Sequence, residues 1–358
     1  MNFSTGQVSI DLKAIKNNYL FIKNFCKPAV IAATVKASSY GLGGENKIVE
    51  TLIKNKCKNF FVANIVEALK IRKKFKQINL FVLNGLHKNE EKIFLKNNIV
   101  PVLNTFDQFQ RWINFIKNKF NKQIIIHVDT GMNRLGFQKK DIKKLKINKK
   151  KLYKFKNVLF MSHLACADEK NNQYNIEQKK RFDQIKKEFP GFKYSLAASG
   201  GIFLGKQYHY DMVRPGISLY GGKRTFHKKI KHAVALKAPI IQINKVNKGD
   251  SIGYSRTYFA KKKITTATIS VGYADGMNIR LSNNGYFHFK KKKVPIIGRV
   301  SMDLIILDIS KYKGKIKIGD YIDIYNSYYT IDDFAKQSGT IPYRIITCMS
   351  SRYDKKYI

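Results

Sequence analysis

The sequence predicts an α/β protein: an N-terminal (β/α)8 barrel of the TIM type followed by a C-terminal, mainly β domain. Two observations carry this. Over the first ~220 residues, short apolar runs alternate with longer helical patterns, the order that builds a parallel sheet. From about residue 232 the pattern changes to short β-rich runs separated by Gly, Asn and Lys, as in an all-β unit.

Strands are expected at Ala29–Val35, Phe60–Ala63, Leu80–Leu83, Ile99–Leu103, Gln123–Val128 and Val158–Met161, with a shorter one at Tyr194–Ala197. Each is a compact apolar run of strand length. Helices are expected between them at Asn46–Lys54, Ile65–Phe75, Phe106–Phe120 and Asn175–Phe189, and Asp211–Gly221 would complete the last barrel unit. Seven or eight such units fit a closed barrel better than an open sheet, the alternative that spacing alone leaves standing. The β-rich runs that follow are Ile240–Ile243, Thr265–Val271, Val294–Ile297, Leu304–Ile309 and Tyr321–Tyr325. The division is placed to give domains 1–231 and 232–358, with no internal repeat and no Pro- or Ser-rich linker.

The chain has 358 residues, 44% of them hydrophobic, which supports sizeable cores. Its net charge of +44 raises the question of a polyanionic partner. The excess is mostly lysine, 57 against 11 arginines, spread along the whole chain among many Asn and Ile residues, as in compositional drift. The runs Lys149–Lys151, Lys261–Lys263 and Lys290–Lys293 lack the interleaved aromatics of single-strand binders. Specific nucleic-acid binding is therefore not expected, only weak, salt-sensitive sticking. Cys26, Cys57, Cys166 and Cys348 are scattered without a Cys-x-x-Cys pair, so neither a metal site nor a disulfide framework is expected. The first residues do not read as a signal peptide and no apolar run approaches spanning length, so the expected location is cytoplasmic, away from membranes.

Lys36 stands out chemically. It ends the apolar run Ala29–Val35 and leads into Ala37-Ser38-Ser39-Tyr40-Gly41-Leu42-Gly43. An ammonium at the mouth of an apolar strand loses hydration, which lowers its pKa and frees a neutral amine for Schiff-base chemistry. Further polar segments follow other strands: Asp129–Phe137 with Arg134, Ser162–Asp168 with His163, and Asp211–Gly221 with Arg214. Groups at several strand ends converge on one face of a barrel. A hydroxyl at Ser199 and exposed backbone N–H groups around Gly216 and Ile217 would suit a phosphate site. Arg214 has a structural alternative, an ion pair with Asp211.

Seven segments, Val35–Gly43, Asp129–Phe137, Val213–Gly221, Gly253-Tyr254, Gly272–Gly276, Gly298–Asp303 and Ile341–Tyr343, together resemble the alanine racemase family, in its order and over nearly the whole chain. The resemblance implies an isomerase that uses pyridoxal 5'-phosphate to interconvert L-alanine and D-alanine, supplying D-alanine for peptidoglycan, and works as a homodimer with shared active sites. Racemisation needs one proton acceptor on each face of Cα. The resemblance makes Lys36 the Schiff-base lysine and acceptor for D-alanine, and Tyr254 the acceptor for L-alanine. A phenol needs neighbouring cations to act as a base. Arg134 is the expected source, His163 a weaker one. Arg134, Met302, Tyr273 and Asp303 fall to the substrate, the last three from the second subunit. Lys36, Tyr40, His163, Ser199, Arg214, Gly216, Ile217 and Tyr343 fall to the cofactor, with Arg214 aimed at the pyridine nitrogen.

Five positions depart from the family pattern: Ser38 in place of Asn or Asp, Leu42 in place of His, Ala198 in place of Asn, Arg344 in place of Glu, and His127 where many members carry a carbamylated lysine that orients the substrate-binding arginine. Weaker cofactor binding and a different hold on Arg134 are expected. Lys36, Tyr254, Arg134 and Arg214 are untouched, which favours an active enzyme over a decayed homologue that binds the cofactor or polyanions. A racemase of broader amino-acid specificity shares all these residues.

Overall fold

The computed structural model describes residues 6–117, 119, 121–222, 226–312 and 314–358. After β1 (Gln7–Ile10) come eight strands that form the barrel: β2 (Val30–Thr34), β3 (Asn59–Val62), β4 (Asn79–Val82), β5 (Ile99–Leu103), β6 (Gln123–His127), β7 (Asn157–Met161), β8 (Lys193–Ser195) and β9 (Met212–Val213). They lie in the order β8-β7-β6-β5-β4-β3-β2-β9, paired in parallel. Backbone bonds from Asp211 N to Tyr194 O (3.0 Å) and from Arg214 N to Ala197 O (2.9 Å) join β9 to β8. A parallel bridge between Ala198 and Arg214 continues this seam. The sheet therefore closes on itself. Its interior is filled by Ala32, Phe61, Phe81, Val102, Ile125, Leu159, Met161 and Met212, the packed core that a barrel of this size requires.

The helices begin where short polar side chains can cap them. Asn64 accepts from Glu67 N at 3.0 Å to start Ile65–Lys74, and Thr105 accepts from Gln108 N at 3.2 Å to start Phe106–Ile116. The latter ends four residues before the expected Phe120, and Asn118 and Phe120 lie outside the described residues.

The second unit gathers β1, Tyr40–Gly43 and Tyr220–Ile358. Its spine is the 13-residue strand β10 (Val234–Val246). The remaining strands are β11 (Ser251–Ile252), β12 (Tyr258–Phe259), β13 (Ile264–Ile269), β14 (Tyr286–Phe289), β15 (Lys292–Pro295), β16 (Ile305–Asp308), β17 (Tyr321–Tyr325) and β18 (Asp354–Tyr357). The sheet runs β15-β14-β17-β10-β1-β18, with β13 joining β10 to β16. Thus β1 is antiparallel to β10 and parallel to β18, so the first described strand is hydrogen-bonded into the C-terminal sheet.

Behind β2 the chain does something L-residues avoid. Ala37, Ser38, Ser39 and Tyr40 have φ of 52°, 54°, 53° and 61°, a left-handed turn of four consecutive non-glycine residues. Each such residue costs roughly 1–2 kcal/mol. Gly41 follows at φ 78°, and a Cβ there would lie 2.2 Å from Ile346 O, so only glycine lets the chain pass. Lys355 Nζ donates to Gly41 O at 2.8 Å and Tyr357 Oη to Leu42 O at 2.9 Å, which fixes the main chain of Gly41 and Leu42 against β18.

Candidate active site

Lys36, Arg134, His163, Ser199 and Arg214 follow the C-terminal ends of β2, β6, β7, β8 and β9, the end of a barrel where strand-end side chains converge. Electrostatics show how close several of them come. Burial lowers the pKa of the Lys36 amine, Arg134 lowers it further, and the Glu67 carboxylate partly opposes them. Burial also holds His163 well below the usual imidazole range, reinforced by Arg214, Arg134, His127 and Lys36. His163 is thus neutral at neutral pH, which removes it as a cation able to acidify a phenol. Lys36, Arg134 and Arg214 make this mouth strongly electropositive, a setting for an anionic ligand.

Arg214 is 4% exposed. Its Nη1 donates to Ser195 O at 2.9 Å and to Ser195 Oγ, and its Nη2 to Ser162 O and to Leu196 O at 3.2 Å. The alternative pairing with Asp211 is not formed, because Asp211 Oδ2 accepts from Tyr194 N at 2.8 Å instead. Burial without a carboxylate partner pulls the guanidinium down to about 9, still a cation at neutral pH. With both terminal nitrogens committed to the protein, Nε is the donor left for a ligand.

Ser199 opens the short turn Ser199–Ile202, and its Oγ accepts from Gly216 N at 2.9 Å and Ser218 N at 3.3 Å. The Gly216 amide expected to be exposed is instead taken by Ser199, and both Gly216 and Ile217 are buried residues. The neighbouring Ser218 Oγ is buried without a hydrogen-bond partner among the described residues. A buried hydroxyl left unpaired in this way is poised for an outside acceptor.

His127 is 8% exposed and its Nδ1 lies 2.8 Å from Asn104 Oδ1. The Asn104 Nδ2 is spent on Leu83 O and Val102 O, both at 3.1 Å. The amide oxygen therefore faces the ring and Nδ1 must be the donor. Burial, with Arg214 next, brings the imidazole down to about 4. His127 is a neutral side chain whose Nε2 can only accept. Asn104, which sets this tautomer, was not anticipated from sequence; an Asn after a strand reads as an ordinary turn residue.

The C-terminal unit carries the other predicted residues. Tyr40 packs between Tyr220 and Tyr343, with ring centroids 4.9 Å and 6.2 Å away. Tyr254 sits 70% exposed on a turn between β11 and β12, followed by Ser255 and Arg256 at φ 58° and 50°. Arg299 Nη1 steadies that turn through Ser255 Oγ at 3.0 Å. The same loop, Gly298–Asp303, also holds Tyr273: Tyr273 N donates to Ser301 O and Ala274 N to Met302 O, both at 3.0 Å. Gly272 makes this approach possible, since a Cβ there would fall 2.2 Å from Met302 O. Asp303 pairs with Arg352 Nη1 at 2.7 Å, and Arg352 Nε binds Asp275 Oδ1 at 2.9 Å. Asp275 Oδ2 accepts from Gly272 N at 2.9 Å and closes the network. Arg352 was also missed, because a Ser-Arg-Tyr stretch carries no sequence signal.

Comparison with known proteins decides what this arrangement is. The N-terminal domain model of alanine racemase matches residues 10–224 and the C-terminal domain model matches residues 233–357. The chain belongs to the alanine racemase family. It is 40% identical to an alanine racemase of Rickettsia africae over 98% of both chains. It is 37% identical to a catabolic alanine racemase of Rhizobium johnstonii, covering 99% of this chain and 95% of that one. The crystal structure of an alanine racemase from Bartonella henselae with covalently bound pyridoxal phosphate superposes with a TM-score of 0.95 at 34% identity, covering 99% of this chain and 100% of that one. The barrel and mainly β unit expected from the sequence are the architecture of this alanine racemase. Its class is isomerase, and the interconversion of L- and D-alanine is the reaction its residues serve. No helix among the described residues is long and apolar enough to cross a membrane.

Proposed function

We propose that pyridoxal 5'-phosphate occupies the barrel mouth and that Lys36 and Tyr254 act as the two bases of alanine racemisation. The observation that carries this is the Lys36 amine, desolvated at the end of β2 beside Arg134. The site's residues suit the cofactor: a buried guanidinium without a counter-ion, an orphaned Ser218 hydroxyl and a cationic rim. When bound, the cofactor supplies an electron sink that makes the alanine Cα proton removable.

Lys36 would anchor the cofactor, and its Nζ would exchange a proton with the face of Cα that carries hydrogen in D-alanine. Tyr254 Oη serves the opposite face, so a proton taken on one side and returned on the other inverts the centre. Arg134 holds the substrate carboxylate. Arg214 Nε, the donor its protein partners leave free, would face the pyridine nitrogen and, keeping its own proton, would leave that nitrogen unprotonated. Ser199, Gly216 and Ile217 would serve the cofactor phosphate from the barrel, the family resemblance assigns Tyr40 and Tyr343 to the same phosphate, and His163 would be a neutral neighbour of the ring. Tyr273, Met302 and Asp303 approach the substrate from a second copy of the chain. Tyr254, Tyr273 and Met302 are 70%, 42% and 53% exposed, as suits groups that complete a partner's site.

The division of labour follows residues 1–231 as cofactor-binding barrel and 232–358 as β-domain, with β1 lending its backbone to the latter's sheet. The enzyme works in the cytoplasm as a homodimer and supplies D-alanine for peptidoglycan. The test is D-alanine formation from L-alanine by the purified protein with added cofactor. Lys36→Ala is expected to lower the rate by ~10³ or more. Equal rates in variant and parent would refute the assignment.

A further inference from the structure

The left-handed turn behind Lys36 is held by a residue outside every motif above. Ser39 N donates to Val35 O at 3.0 Å, which closes the turn on itself. The amide that opens it, Ala37 N, donates instead to the Glu67 carboxylate, Oε1, at 2.9 Å. The other oxygen, Oε2, accepts from Ala63 N at 2.8 Å, one residue past β3. Glu67 is itself fixed, because it is the third residue of Ile65–Lys74 and its own amide is bound by the Asn64 cap. Both oxygens therefore bridge the ends of two adjacent barrel strands through charge-assisted bonds. Among the described residues the partners of this carboxylate are backbone amides and not a cationic side chain. The peptide it grips is the one between Lys36 and Ala37, so it sets the backbone from which the lysine side chain departs.

We propose that Glu67 is a positioning residue of this site, tying the Lys36–Ala37 peptide to the end of β3 and so fixing both the direction of Lys36 and the left-handed turn that follows. This rests on the reading of Lys36 as the cofactor-bearing lysine. Glu67 touches neither substrate nor cofactor; it acts through the main chain and through its field on the amine, where it opposes Arg134.

Two measurements separate this proposal from that reading. In the cofactor-free protein, hydrogen exchange at the Ala37 amide reports the clamp alone. Glu67→Gln keeps one acceptor oxygen but presents an amide NH2 to the second donor, so Ala37 protection is expected to fall roughly ten-fold or more. Unchanged protection overturns the proposal whatever the cofactor does. In the loaded enzyme, visible circular dichroism of the cofactor reports how rigidly Lys36 presents it. Glu67→Gln should weaken that signal several-fold and move its pH dependence to lower pH, because a group that favours the charged amine is gone. Adding Ala37→Gly, which accepts positive φ without penalty, should recover the dichroism but not the pH shift. A dichroism and pH profile identical to the parent's would overturn the proposal. So would a loss that tracks the melting temperature and is not rescued by glycine, since that is the behaviour of a helix cap alone. A parent protein that binds no cofactor while Glu67→Gln still deprotects Ala37 would refute the functional reading and leave the clamp standing.

Discussion

On the barrel, Arg214 is 4% exposed and spends both terminal nitrogens on main-chain carbonyls and a serine, while on the C-terminal unit Tyr254 stands 70% exposed on a turn with two left-handed residues. The barrel residues are desolvated, and burial shifts their titration: Lys36 and Arg214 are lowered, and His127 and His163 are lowered far enough to be neutral at neutral pH. The C-terminal residues are arranged by loop-to-loop bonds, from Arg299 to Ser255 and from Arg352 to Asp275 and Asp303. One region is organised by burial and the other by presentation. In the proposed function the first would tune the chemistry, and the second would offer exposed groups to a second copy of the chain.

The contrast can be broken in several ways. The largest effect belongs to Tyr254→Phe, which removes one base and leaves the barrel intact. Reaction from L-alanine should fall by ~10²–10⁴, and Cα proton exchange of D-alanine in deuterated water by much less. Equal losses would mean that the two units do not divide the work by face.

His127 sharpens the barrel side. The folded protein holds this imidazole at about 4 against an ordinary 6.5, so the unfolded chain takes up a proton that the folded one refuses. Its neutral burial therefore adds stability that is present above about pH 6.5 and is lost as pH falls toward 4. Over that window the wild type should lose about 3 kcal/mol more than His127→Gln in denaturant unfolding. His163, shifted the same way, keeps part of the acid limb in the variant. An unchanged limb would show that His127 is not buried neutral.

Arg352→Met probes the presenting region with the smallest effect. Loss of its bonds to Asp303 and Asp275 should raise the alanine KM several-fold through slack in the Tyr273 and Met302 loops. The acid limb of stability should not move. A changed limb with unchanged KM would reverse the assignment of roles.

Much of the barrel was legible because each buried strand is an apolar run, and β2 through β7 fall within a residue or so of their expected positions. Strands β1 and β18 were not, since Asp354-Lys355-Lys356-Tyr357 has no apolar alternation and is defined by backbone pairing. Candidate site residues were legible where an unusual charge ends an apolar strand, as at Lys36 and Arg214, both of which the structure places at barrel strand ends. Those that act by gripping backbone or a second side chain, Glu67, Asn104 and Arg352, were invisible because their partners are distant in sequence or are amides that every residue has. The Gly216 amide was misjudged for a related reason: nothing in a Pro-Gly-Ile stretch tells that Ser199 already accepts its proton.

In the proposed enzyme the two bases come from different copies of the chain, Lys36 from one barrel and Tyr254 from the partner's β-unit. Mixing Lys36→Ala with Tyr254→Phe protein under subunit exchange tests it directly. Each mixed dimer would hold one site with both bases intact, so two inactive proteins should regain about a quarter of wild-type D-alanine formation. No recovery after demonstrated exchange would contradict the account, because both bases would then belong to the same chain.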